Sequence, residues 1–109
     1  MTEFVTALSR IVPTYLQPAP AEAVAPYAVF TMSENIIRTK SGIAGSEGVI
    51  SLSVVASKMS TVDGIVQRVV AAIDDKKFDG RTMYVTDVDM SDYPDIGLVA
   101  KELTINTLQ

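Results

Sequence analysis

The sequence predicts an α+β domain: an antiparallel sheet of about four strands with two helices packed on one face, in the order helix, strand, strand, helix, strand, strand. Three observations predict it. Val62, Ile65, Val66, Val69, Val70 and Ile73 recur at the i, i+3, i+4 spacing of an amphipathic helix in mid-chain. Two β-rich segments precede that helix and two follow it. A chain of 109 residues holds one hydrophobic core, so residues 1–109 read as a single domain.

The first helix is predicted from Phe4, Val5, Leu8, Ile11, Val12 and Tyr15, with Thr2 as its cap and Pro13 marking its end. Between Pro13 and Pro26 four prolines punctuate an Ala-rich stretch, which reads as an extended surface connector. Tyr27 to Ile37 alternates with period two and places Ala28, Phe30, Met32 and Ile36 on one face, broken by Glu34. Gly42, Gly45 and Gly48, with Ser41 and Ser46 between them, read as a flexible loop. From Val49 to Ala56 a second strand sets Ile50, Leu52 and Val54 on one side, giving a long-looped hairpin.

The central helix is expected to begin with a capping-box-like Ser60 and Asp63 and to stop near Phe78, ahead of the Asp79-Gly80 turn pair. Arg81 to Met90 and Leu98 to Leu108 follow as strands. A polar turn containing Ser91, Asp92, Pro94, Asp95 and Gly97 separates them. With both helices on one face the other is left open, and Val49, Val55, Met83 and Val85 are expected to leave apolar groups uncovered unless another copy covers them.

Composition narrows the chemistry. The apolar share is 48% and the charged share 20%, a globular balance. A net charge of −4 and a pI near 4.6 argue against a surface that attracts nucleic acid everywhere. The chain has no cysteine and no histidine. It therefore lacks thiol nucleophiles, zinc-thiolate sites and the commonest general base and transition-metal ligand. Neither cofactor nor metal is expected, and catalytic residues are not assigned. Residues Met1 to Val12 carry Glu3 and Arg10 and lack the basic and apolar regions of a signal peptide, so the expected compartment is the cytoplasm.

Four groups of residues are weighed as candidates for chemistry. Asp87, Asp89, Asp92 and Asp95 form the densest acidic series, but Ser91 and Pro94 stand where a calcium loop needs ligands and a central glycine. A solvated strand end and turn is the plainer reading. The glycines at 42, 45 and 48 lead into a strand instead of opening a helix, so they read as a hairpin tip and not a phosphate cradle. Arg38 and Lys40 beside that tip could touch a phosphate or an acidic neighbour, and are most simply a solvated strand end. Asp74, Asp75, Lys76 and Lys77 read as a charged helix end, with the lysines placed toward the negative end of the dipole.

Ala25-Pro26-Tyr27-Ala28-Val29-Phe30, after an N-terminal helix and a Pro-rich connector, resembles the first strand of the tail completion and tail terminator family of long-tailed phages. The run from Val49 to Lys58 and the helix after it resemble that family's second strand and central helix, and Leu98 to Thr107 its closing strand. The segments Thr39 to Gly48 and Asp89 to Asp95 have no counterpart in the resemblance. It implies a non-enzymatic phage or prophage subunit that forms a ring, typically sixfold, at the head-proximal end of the tail tube. Such a ring ends tube growth and supports head–tail joining. The implied partners are other copies of the chain, the tail tube protein, the head–tail connector protein and DNA passing through without sequence-specific binding. The implied locations are the virion tail and, during assembly, the host cytoplasm, with no membrane involved. Like charge on Asp87, Asp89, Asp92 and Asp95 would keep passing DNA from adhering to a channel wall. The alternative is a small dimeric binding or regulatory domain that pairs through its open sheet face.

Overall fold

The computed structural model describes residues 2–18, 20–21, 23–39, 42–91 and 97–108; for 2, 34–39, 42–47 and 91 it describes the backbone alone. Helix α1 spans Thr2–Ser9 and buries Phe4 and Leu8, one turn apart, on its inner side. Its free amides are satisfied from far along the chain. The Asp79 carboxylate accepts hydrogen bonds from the N–H groups of Glu3 and Phe4, both at 3.1 Å, and the Glu3 carboxylate accepts one from the Asp79 N–H at 2.7 Å. The helix ends at Ser9, short of Pro13, and in the turn that follows the Leu8 carbonyl accepts from both Ile11 and Val12 at 2.9 Å.

The sheet has six strands and is mixed and curled, which corrects the expected four-stranded antiparallel sheet and its order. The strands are β1 (Thr14–Leu16), β2 (Tyr27–Thr39), β3 (Gly42–Ala56), β4 (Lys76–Phe78), β5 (Arg81–Ser91) and β6 (Val99–Leu108). Their spatial order is β1-β2-β3-β6-β5-β4, and α2 (Met59–Ile73) connects β3 to β4. Among the described residues only the β1–β2 pair is parallel.

Two short strands account for the difference. The connector read as irregular contains Thr14–Leu16, a proline-free stretch between Pro13 and Pro18 that adds to the sheet margin, where proline is tolerated. Pro13 still contributes, its carbonyl accepting from the Ala28 N–H at 2.8 Å. At the other margin α2 stops at Ile73, not near Phe78, and Lys76–Phe78 folds back on Arg81–Met83. Asp79 and Gly80 have φ of 53° and 78°, so the pair forms a two-residue hairpin turn. Lys76 nevertheless reaches back to donate to the Ala71 carbonyl in the last turn of α2.

The glycine-rich segment is strand, not loop. The ladder between β2 and β3 continues to Arg38–Ile43 and Thr39–Gly42, with an irregularity at Ile37/Arg38. Pairing of β3 with β6 ends at Glu47–Leu108, so the hairpin runs on beyond the rest of the sheet as a two-stranded ribbon.

One core lies between sheet and helices. Phe4, Leu8 and Val12 meet Ala28 and Phe30 of β2, Ile50, Leu52 and Val54 of β3, Met83, Leu103 and Ile105, and the α2 face formed by Val62, Ile65, Val66, Val69 and Ile73. The Phe4 ring stands edge-on to Phe30 and Phe78. Helix α2 carries no side-chain cap on its first turn; Lys58 is the N-cap residue, and the Asp63 carboxylate pairs instead with Lys101 of β6. Across the sheet Tyr27, Val29, Val55 and Ala100 form a second cluster, covered by Tyr15, Ala23, Ala25 and Leu98. Three of the four apolar residues expected to stay uncovered are therefore covered: Met83 lies in the main core, Val85 packs against it and Val55 lies in the second cluster. Val49 is 38% exposed.

Candidate assembly surface

Strand β5 decides what the surface presents. Met83 and Val85 point toward the helices, and strict alternation would send Asp87 and Asp89 the same way. The register with β6 slips between Val85 and Asp87, leaving Thr86 as an extra residue. After this bulge Asp87 faces Thr104 and Asp89 faces Glu102 on the helix-free side. Val88 and Met90 face Leu103 and Lys101 on the helix side. The Thr86 hydroxyl donates to the Thr104 carbonyl at 3.2 Å across the slip.

The helix-free face beyond the second cluster is polar. Thr31 and Ser33 of β2, Ser51 and Ser53 of β3, Glu102, Thr104 and Asn106 of β6, and Asp87 and Asp89 of β5 share it by register. Its acids, hydroxyl groups and the Asn106 amide are half-buried or exposed, and the exposed Tyr84, Val49 and Leu108 gather at one end.

Of the candidates named from sequence, Arg38 and Asp89 lie in distant rows of the sheet. Arg38 pairs with Ile43 near the end of the ribbon, while Asp89 pairs with Glu102 and through it with Ser53. Ten residues of β3 separate the two rows, about 34 Å at the rise of an extended strand. Lys40, Asp92 and Asp95 lie outside the described residues, as does the Arg38 side chain. Among the described residues no group of three or more carboxylates is placed to hold a metal ion, and no helix is long and apolar enough to cross a membrane.

Sequence reasoning passed over the two open margins of the sheet. Strand β1 pairs with β2 as far as Phe30, whose carbonyl also accepts from the Gln17 N–H at 2.9 Å. From Thr31 onward no described residue pairs with the outer edge of β2. On the opposite margin β4 covers β5 through Met83, and the Asp74 carboxylate accepts from the Val85 N–H at 2.9 Å. From Thr86 to Ser91 the outer edge of β5 is likewise without a described partner. Each open edge carries exposed apolar side chains on the helix side: Met32 at 38% on β2, Val88 at 42% and Met90 at 68% on β5. The pairing order reveals which strands are marginal.

An open groove of about 400 Å³ lies between α1 and β4, lined by Glu3, Thr6, Ala7, Arg10, Lys77 and Phe78. Its carboxylate, Glu3, is engaged by the Asp79 amide.

Fold and surface together define a small α+β protein whose distinctive features are sheet edges and a protruding ribbon. No protein-family model matches the chain, and no curated protein matches it. Among solved structures it is similar to a chain of the virion of native gene transfer agent (GTA) particle, with a TM-score of 0.69 at 12% sequence identity. The match covers 96% of this chain and 82% of the other. The fold is thus one found in a virion component.

Proposed function

We propose that the chain is a structural subunit of a phage-like virion, and within it a tail completion or terminator subunit. The observation that carries the reading is the near full-length likeness to a chain of the gene transfer agent virion. The open edges and the ribbon support it, since a subunit working through contacts with copies and neighbours needs unsatisfied margins in place of a reactive pocket. On this reading copies close into a ring at the head-proximal end of the tail tube, stop its growth and offer the connector a docking surface. The chain works without catalysis, and its location is the virion tail.

Electron microscopy of particles made without the gene tests this. The expected result is unjoined heads beside tails of irregular length. Normal virions from the deleted strain would remove the reading.

A further inference from the structure

We infer that the open edge of β2 beginning at Thr31 pairs with the open edge of β5 ending at Ser91 on a second copy of the chain, continuing one sheet from subunit to subunit. Four observations carry this. The two edges lie on opposite margins of the same sheet, so the contact is head-to-tail and repeats with each added copy. The strand sense is right. β2, β3, β6 and β5 alternate in direction, so copies related by rotation bring β5 antiparallel to the next β2. The layers match as well. Where Thr31 stands opposite Ser91, Met32 stands opposite Met90 on the helix side, and Ser33 stands opposite Asp89 on the polar side. Two exposed methionines then cover each other, and a hydroxyl meets a carboxylate.

The fourth observation is the level at which the edges sit. Ser91 lies in the row of Ala100 and Val55, and Thr31 in the row of Ser51. β1 occupies β2 up to Phe30, so the neighbouring copy must slide by four residues of β3, about 14 Å along the strands. That offset tilts the strands against the axis of rotation, which closure of a continuous sheet requires. In this register the open edge Thr86–Ser91 runs along Thr31 to Ile36 and so reaches the base of the ribbon.

This inference rests on the ring reading for its rotational symmetry, and its test separates the two. The chain has no cysteine, so engineered thiols report without background. Particles are assembled with Met32→Cys, Met90→Cys or both, oxidised, and the chain is followed on a non-reducing denaturing gel. The double variant should give a ladder of multimers that collapses on reduction, while each single variant stays monomeric. A monomeric double variant within particles overturns the pairing. Dimers from a single variant would mean like edges meet, and a band with a different protein would assign the edge elsewhere; either result overturns it too. If the double variant does not enter particles, the purified chain is oxidised at high concentration, and monomer there counts equally against the proposal. A ladder from a strain whose deletion leaves virions normal would retire the tail reading and keep the pairing. Unjoined heads and tails without a ladder would do the reverse.

Discussion

Glu3 and Asp79, 76 positions apart, hold each other by reciprocal contacts in which each carboxylate accepts the other residue's backbone N–H. The arrangement serves α1 as a capping box does, except that the cap comes from the β4–β5 turn instead of the preceding residue. Because Asp79 also accepts from the Phe4 N–H, one side chain satisfies two of the free amides of a two-turn helix. Asp79 further sits at positive φ, where aspartate and asparagine are tolerated and alanine is strained.

Asp79→Ala is therefore expected to lower unfolding free energy by roughly 2–3 kcal/mol, the loss of a cap plus the cost of a left-handed alanine. Asp79→Asn should lose less than half of that. Urea denaturation of both variants beside Glu3→Ala and the double replacement checks it. A double loss equal to the sum of the singles would show that the two residues do not act as a pair.

Gly48 is buried beneath Thr107, and a methyl group built there would lie 2.5 Å from the Thr107 hydroxyl oxygen and 3.2 Å from the Ser33 carbonyl oxygen. Gly48→Ala should cost about 1–3 kcal/mol through overpacking. Adding Thr107→Ala should recover part of this by removing the nearer clash, as a urea titration of the single and double variants would reveal.

Leu103 is fully buried between sheet and α2, whereas Met90 on the neighbouring strand is 68% exposed. Leu103→Ala is expected to cost about 2–5 kcal/mol by leaving a cavity. For the isolated chain, Met90→Ala should stay within about 0.5 kcal/mol. Equal losses in thermal or chemical denaturation would contradict the placement of the two side chains.

Asp87 and Asp89 are exposed on the polar face. Replacing both with asparagine should leave stability within about 0.5 kcal/mol. If this face lines the channel, DNA delivery should fall while particle assembly is unchanged. Counting infectious units against intact particles measures it, and an unaltered ratio would dissociate these acids from the channel.

Much of the fold was legible because single side chains report strongly on periodicity. Val62 through Ile73 gave α2, and Ile50, Leu52 and Val54, all fully buried, gave the inner face of β3. What stayed hidden depended on partners distant in the sequence. Thr14–Leu16 becomes a strand only because β2 offers it an edge, and Lys76–Phe78 only because Asp79-Gly80 turns it against β5. The Gly42–Gly48 segment looked like a loop by composition, yet β2 supplies a ladder for it. The candidate surface was less legible still. The acidic residues were visible, but whether Asp87 and Asp89 sit with Met83 or opposite it turns on Thr86, and period two cannot announce an inserted residue.

Thr86 acts as a parity bit for everything downstream of it in β5. Deleting that one amino acid would change no charge, yet it would move two carboxylates to the helix side of the sheet and Val88 and Met90 to the opposite side. What this molecule shows to its surroundings is thus encoded in the count of residues as much as in their kinds.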